Sequence, residues 1–431
     1  MIIIQFNEAN FDLIKKYTNK YPSLKGFKYI TSNFQEVQTV AEEKYEHLEP
    51  WIQWASFQSG MSFSEHKVFH LGECESLKDK GIFCDLSKKF KTGIFGCMNQ
   101  PPSGHEKVYI PDPWSTYNSD DSISSKSTYA VLKKLVNNNA VLQSPIWILK
   151  DFLTMFFSIR FFSKYKILLL SLFAFIKKDR SLLASYFDSL FLLFALSKHK
   201  KSNLDLSAVF LNGFAHVQHH YMLSSEFFEN ENPTWYVENK SDPVLKSLQI
   251  FDSIFRLMIK QNIEFSVITG LSQAPFPKPF VYWRFLDHKK IFSKLLNCDF
   301  NCIPRMTRDF HLEFKTKEDA EYAQAILMNT KILDEEGNHT DAFGFFDLNN
   351  DTLFASFIYS SENKDISIFN KDKIIKLKSE LAFVALKNGG HISNGWAYFS
   401  NNVDVSKLLN PVKIWNLNSV FYNYFDKIKN A

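Results

Sequence analysis

The sequence predicts an α/β protein built on a central, mostly parallel sheet flanked by helices, with a helical insert in mid-chain. Three observations carry this expectation. Short apolar runs end in polar residues and give way to helical spacing. The same alternation resumes after residue 202, and a basic, apolar block of helical character separates the two halves. On this basis residues 1–139 and 202–431 are the two parts of the α/β core and 140–201 the insert.

Residues 2–6 read as a short apolar strand, after which Phe11, Leu13, Ile14 and Tyr17 recur at helical spacing. In an open parallel sheet, ligands gather beyond the carboxyl ends of the strands. Asn7 and Glu8 therefore stand where chemistry is expected, although the pair also suits a helix cap. A second unit opens with LEPWIQWASFQSG, residues 48–60, and continues as MSFSEHKVFHLGE, dense in polar and aromatic groups. Residues 91–99 look like a buried strand whose glycines allow close packing, 110–114 (IPDPW) like a rigid loop, and 115–127 like an exposed Ser-rich connector. Beyond the insert, residues 204–213 are a strand candidate leading into the loop FAHVQHHYM. A helix around 243–260 precedes the strand 264–269 and a turn at 270–275. The segment after Thr316 is helical, and 351–360, 366–369 and 380–386 are strands, the last ending at the loop KNGGHISNG.

The chain has 431 residues and carries a net charge of only +4, unevenly spread. Residues 141–201 hold ten Lys or Arg against three Asp. Because that excess lies in an aromatic, apolar stretch, it favours contact with an anionic membrane surface over nucleic acid; a helical cap on the chain's own core is the other reading. Charges interrupt every run before membrane-spanning length. Five cysteines without a CxxC pair indicate neither a disulfide framework nor a zinc ribbon. The N-terminal apolar run has strand length and no basic residue before it, so the expected location is cytoplasmic, with peripheral contact at the inner face of the plasma membrane. The 44 Phe residues, with much Lys, Asn and Ile, fit an AT-rich genome better than an aromatic ligand platform.

Four pieces, in collinear order, resemble the type I phosphodiesterase and nucleotide pyrophosphatase branch of the alkaline phosphatase superfamily. SGMSFSEHKV, residues 59–68, keeps Gly60 and His66 at the spacing of the family's Thr-Gly and following His; KTGIFGCMN resembles the next strand. Residues 211–216 resemble the family's Asp-x-x-x-His metal loop, and NGGHISNG its late Gly-x-His-Gly loop. The resemblance implies an alkaline-phosphatase-like sheet and two divalent ions, usually zinc, clamping a phosphoryl or sulfuryl group while Thr or Ser attacks in line. The residues depart from that pattern. Asn7, beside Glu8, stands at the first Asp. Asn212 replaces the Asp before the retained His216, and Gly270-Leu271 stands at the Asp-His pair. The nucleophile position falls near Pro50, whose neighbours Glu49 and Trp51 carry no hydroxyl. In place of a two-zinc centre the sequence predicts a histidine-centred site, holding at most one divalent ion through His216 and His391 with Glu8.

The candidate catalytic residues are thus Glu8, Glu49, His216 and His391: a carboxylate for general base and an imidazole for an oxyanion or a proton near neutral pH. His219 and His220 either join His216 or pack the following helix. Asn7, Trp51, Gln53, Trp54, Asn212, Gln218, His220, Gln273 and Asn388 are the expected substrate contacts, since aromatic faces and amides suit a sugar. Three functions remain open: a hydrolase or transferase acting on a phosphoryl-type substituent of a cell-surface glycan or lipid-linked saccharide; a metal-dependent phosphodiesterase or sulfatase; and an inactive glycan- or partner-binding relative.

Overall fold

The computed structural model describes all residues except 43, 45–46, 138–145, 178–180, 230–231, 238–240, 306–307, 334–338, 372 and 431. In chain order the elements are β1 (Ile2–Phe6), α1 (Phe11–Lys20), α2 (Lys25–Asn33), β2 (Gln35–Val40), α3 (Pro50–Ser59), α4 (Phe63–His66), α5 (Ile82–Ser87), β3 (Thr92–Phe95), β4 (Val108–Ile110) and α6 (Ile123–Asn137). Then come α7 (Ile146–Ser158), α8 (Ser163–Ile176), α9 (Leu183–Lys201), β5 (Leu206–Leu211), α10 (Gly213–Tyr221), α11 (Pro243–Lys260), β6 (Phe265–Ile268) and β7 (Ser272–Phe285). α12 (His288–Leu295), β8 (Asn301–Pro304), β9 (Asp309–Glu313) and α13 (Lys317–Met328) precede six short strands, β10 (Lys331–Leu333), β11 (His339–Asp341), β12 (Phe343–Asn349), β13 (Thr352–Phe357), β14 (Ser367–Asn370) and β15 (Lys373–Lys376). β16 (Leu381–Ile392), β17 (Asn394–Phe399), β18 (Val412–Lys413) and α14 (Asn418–Asn430) follow.

The chain divides into two compact units, residues 1–276 with 389–431, and residues 277–388. In the first, eight strands form a sheet in the order β18-β2-β17-β6-β1-β5-β3-β4. β1 pairs parallel with both β5 and β6, and β3 parallel with β4 and β5. β17 runs antiparallel to β2 and β6. The second unit holds two four-stranded antiparallel sheets, β11-β10-β14-β15 and β12-β13-β9-β8, with α12 and α13. The sequence alternation draws no boundary at 277 or 388; the density of contacts does.

The period-two pattern of β1 explains why the first sheet is covered on both sides. Ile2, Ile4 and Phe6 enter one core with Phe11 and Ile14 of α1, Phe27 of α2, and Phe251 and Phe255 of α11. Ile3 faces the other, with Trp54 and Phe57 of α3, Phe83 of α5 and Phe421 of α14. Local signals set the helix ends. Asn10 caps α1 by accepting from Leu13 N–H at 2.9 Å, and Asp242 caps α11 ahead of Pro243.

Five sequence readings change. FAHVQHHYM is helix α10, because Phe214 and Val217 bury one helical face. Gly389, Gly390 and His391 belong to strand β16 and not to a loop, and Ser272 to Pro275 begin β7. The Ser-rich connector already enters α6 at Ile123, with Ser125 and Ser127 buried. Within the predicted insert, α9 is a core helix, continuously buried from Ser189 to Ser197 and packed on β5, α10 and α11. The insert proper is therefore α7 and α8. Among the described residues, no helix is long and apolar enough to cross a membrane.

α10 has no side-chain cap of its own; Asp188 of α9 supplies one, its carboxylate accepting from Gly213 N–H at 2.5 Å and also from Asn212 N–H. Burial outweighs these bonds and pushes the Asp188 carboxyl up to about 7. A carboxyl whose folded pKa exceeds its unfolded one favours folding while protonated and loses that contribution as pH rises from about 4 to about 7. Asp188→Asn removes the titration, so its stability relative to the native chain should improve by up to about 4 kcal/mol between pH 4 and pH 8. Thermal unfolding of both forms across that range checks the slope.

Candidate functional site

The parallel register of β5, β1 and β6 brings three strand ends together: Phe6 pairs with Leu211, and Gln5 with Ile268. The next residues are tied across the sheet, Asn7 N–H to Leu211 O at 3.0 Å and Glu8 N–H to Thr269 O at 2.9 Å. Glu8 adopts φ 56°, a left-handed conformation that a side-chain-bearing residue holds only when its surroundings enforce it. Gln218 of α10 supplies part of that enforcement, donating to Glu8 O at 2.8 Å while accepting from Asn10 N–H at 3.0 Å.

The Glu8 carboxylate is 3% exposed and is met by four side chains. Asn7 Nδ2 donates to Oε1 at 2.8 Å and Gln273 Nε2 to Oε2 at 2.5 Å. His219 Nε2 lies 2.8 Å and His391 Nε2 3.1 Å from the same Oε2. Burial by itself raises the Glu8 pKa; the two imidazoles outweigh it and hold the carboxyl well below its ordinary range. Glu8 is thus a buried carboxylate kept charged by its neighbours.

The histidine tautomers follow from their other contacts. His219 Nδ1 lies 3.2 Å from Gly389 O, a carbonyl that can only accept, so Nδ1 carries a proton and Nε2, 2.8 Å from Glu8 Oε2, is the position left for a second proton or a metal ion. His391 Nδ1 faces Glu49 Oε2 at 3.6 Å, which favours the same tautomer, and the two Nε2 atoms are 3.3 Å apart. Three electron-pair donors, Glu8 Oε2, His219 Nε2 and His391 Nε2, therefore converge. Such a triangle repels itself unless a cation, proton or metal, sits among the donors.

The donor set fits a metal ion. A tetrahedral zinc with bonds of about 2.0–2.1 Å sets neighbouring donors about 3.3 Å apart, against 2.8, 3.1 and 3.3 Å here. The second nitrogen of each ring faces a carbonyl or a carboxylate, as metal-bound histidines require. Gly389 makes the approach possible: a Cβ there would lie 2.7 Å from Gln273 Oε1 and 2.9 Å from Gln218 O.

Of the residues expected from the sequence, Glu8, Glu49 and His391 come together. His216 does not join them: it lies outside the donor group, its ring packs 4.6 Å from that of His220, and burial pushes its pKa down to about 4. His219 takes that place. The signal was the spacing of Phe214 and Val217, which sets the helical phase and leaves His219 on a neighbouring side, whereas the loop reading favoured His216 on spacing alone.

The expected sugar contacts are largely structural. Trp54 is completely buried, with Nε1 donating to Asn7 Oδ1 at 2.7 Å, so its faces are closed to a ligand. Asn7 also donates to Asn212 Oδ1 at 2.7 Å, which uses up its amide. Gln53 is buried and ties His47 O to Glu42 N–H; Trp51 donates to Phe69 O at 2.8 Å. Gln218 and Gln273 hold Glu8, and Asn388 is buried in β16. His220 is half-buried beside His216.

His66, which carries the family-like spacing, forms no nucleophile pair. Its Nδ1 accepts from Val68 N–H at 3.0 Å, so Nε2 carries the proton and donates to Ser56 Oγ at 2.9 Å. Ser56 in turn donates to Ile52 O, and burial pushes His66 down to about 4. The histidine is a neutral strut.

No family model matches the chain, and no curated protein matches it. Among solved structures it is similar to phosphonoacetate hydrolase from Sinorhizobium meliloti 1021 in complex with phosphonoformate, at 10% identity over 98% of this chain and 94% of that one, with a TM-score of 0.43. The same hydrolase with phosphonoacetate gives 10% identity, the same coverage and a TM-score of 0.42. A mutant of the alkaline phosphatase PafA gives 11% identity over 94% of this chain and 91% of that one, with a TM-score of 0.41.

The Trp54–Asn7 bond is what orients the amide that holds Glu8 Oε1. Trp54→Phe removes the donor and leaves Asn7 Oδ1 buried without it, at an expected cost of about 1–3 kcal/mol. Urea titration should show a lower midpoint with an unchanged slope.

Proposed function

We propose that Glu8, His219 and His391 hold one divalent ion, and that the chain uses it as a hydrolase or transferase acting on a phosphoryl-type or related substituent. The convergence of three electron-pair donors at 2.8–3.3 Å carries the metal assignment. Two imidazoles and one carboxylate suit zinc or a similar first-row ion, which with three protein ligands would keep a fourth position for a substrate oxygen or water. When bound, such an ion supplies Lewis-acid polarisation of a substrate oxygen.

The chain's own groups do the rest. Glu8 contributes a negative charge that Asn7 and Gln273 keep oriented. His219 is fixed by Gly389 O, and His391 is steadied by Glu49. Glu49 is 36% exposed at the start of α3, and it is the carboxylate free enough of burial to take a proton from an attacking water or acceptor hydroxyl. This general-base route needs no Ser or Thr nucleophile, in keeping with Glu49 and Trp51 flanking Pro50.

The substrate class rests on the collinear sequence resemblance. A cell-surface glycan or lipid-linked saccharide stays as the acceptor to test, but without Trp54 as its platform.

Protein purified without added metal and reloaded with zinc should hold about one ion per chain by elemental analysis. His219→Ala and His391→Ala should each weaken that binding by on the order of 100-fold or more, while His216→Ala leaves it unchanged. Glu49→Gln should keep the ion and lose about 10²–10⁴-fold in turnover on aryl phosphomonoesters, phosphodiesters, sulfates or lipid-linked saccharide fractions, whichever is turned over. Two tightly held ions, or retention of zinc by the His219 variant, would sink the reading.

A further inference from the structure

α7 and α8 present an apolar surface that, among the described residues, is left exposed. Of the 25 exposed large hydrophobic side chains among the described residues, eleven fall between positions 149 and 176. On α7, Leu149, Leu153 and Phe157 repeat every four residues and so share one face, with Phe157 69% exposed. On α8, Leu169 is 68% and Ile176 76% exposed. Patches of this extent on a folded protein mark a docking site.

Both helices are nevertheless anchored on their inner sides, α7 against α6 and α9 and α8 against α9. Met155, Phe156, Ile159 and Ile167 are buried in the main core with α9. Lys164, itself buried, donates to Phe156 O and Ile159 O and so ties the turn between the helices. The exposed side chains therefore belong to a fixed surface.

Charge identifies the occupant. Lys150, Arg160, Lys166 and Lys177 are exposed around this surface, and among the described residues none of them has a carboxylate within ion-pair distance. The nearby acid, Asp151, is engaged by Lys134 at 3.2 Å. A second copy of the same face would oppose these cations to their own equivalents, whereas anionic lipid headgroups match them while the acyl region takes the Leu and Phe side chains. With 14 residues, α8 rises only about 21 Å at 1.5 Å per residue, short of a hydrocarbon core.

We infer that α7 and α8 lie in the plane of an anionic membrane surface and anchor the protein there peripherally. The anchoring is independent of the metal site.

Co-sedimentation with vesicles tests it. The full chain should pellet with phosphatidylcholine vesicles containing 30 mol% phosphatidylglycerol, bind pure phosphatidylcholine at least tenfold less, and be released as salt rises. The triple variant Leu169→Glu, Phe173→Glu, Ile176→Glu changes only exposed positions. It should lose vesicle binding at least tenfold while its circular dichroism and zinc content stay native. If the native chain remains in the supernatant with anionic vesicles, or if the variant instead converts a dimer to a monomer in sedimentation velocity, the inference is overturned.

Discussion

Glu8 imposes a constraint that much of the first unit is arranged to meet. A carboxylate almost wholly withdrawn from water is unstable unless opposite charge and hydrogen-bond donors surround it. β1 delivers it to the sheet's carboxyl edge in a left-handed conformation. α10 supplies Gln218 and His219, β7 supplies Gln273, and β16 supplies His391. Remove any one of these elements and a buried charge is left short of a partner. The same convergence that satisfies the charge brings together the three donor atoms proposed to hold a cation.

The supports of this centre are themselves polar and buried, which makes them directional. Trp54 fixes Asn7, Asn7 fixes one oxygen of Glu8, and Gly389 O fixes the tautomer of His219. α10 is capped by Asp188 from another helix, so its placement depends on α9. An apolar core tolerates small rotations, but a chain of hydrogen bonds at 2.5–3.2 Å does not. Burial of Trp54, which closes it to any ligand, is what makes it useful here.

How far the site was legible in the sequence varied by residue. The apolar run ending at Asn7-Glu8 signalled a strand-end position, and His391 stood out beside its two glycines. The motif spacing points to His216, but the segment is a helix, where direction depends on phase, and His219 is the imidazole that meets Glu8. Trp51, Gln53 and Trp54 looked like ligand contacts because their residue types suit sugars, yet type says nothing about which way a side chain points. Gly389 is the point of close approach to Gln273 and Gln218, but both partners are more than a hundred residues away in sequence.

The sequence by itself determined the α/β alternation, the two-faced burial of β1 through Ile2, Ile3, Ile4 and Phe6, the helical character and basic charge of the insert, and the presence of an acidic residue at the end of the first strand. These are local properties, set by period and composition within a few residues. Only the tertiary structure decided which imidazole meets Glu8, that α9 belongs to the core while α7 and α8 turn apolar faces outward, and that residues 277–388 stand as their own unit. Each of those depends on which segments pack together. Residues 8, 219 and 391 share no local pattern, and only the register of parallel strands and the phase of α10 bring their three donor atoms within about 3 Å of one another.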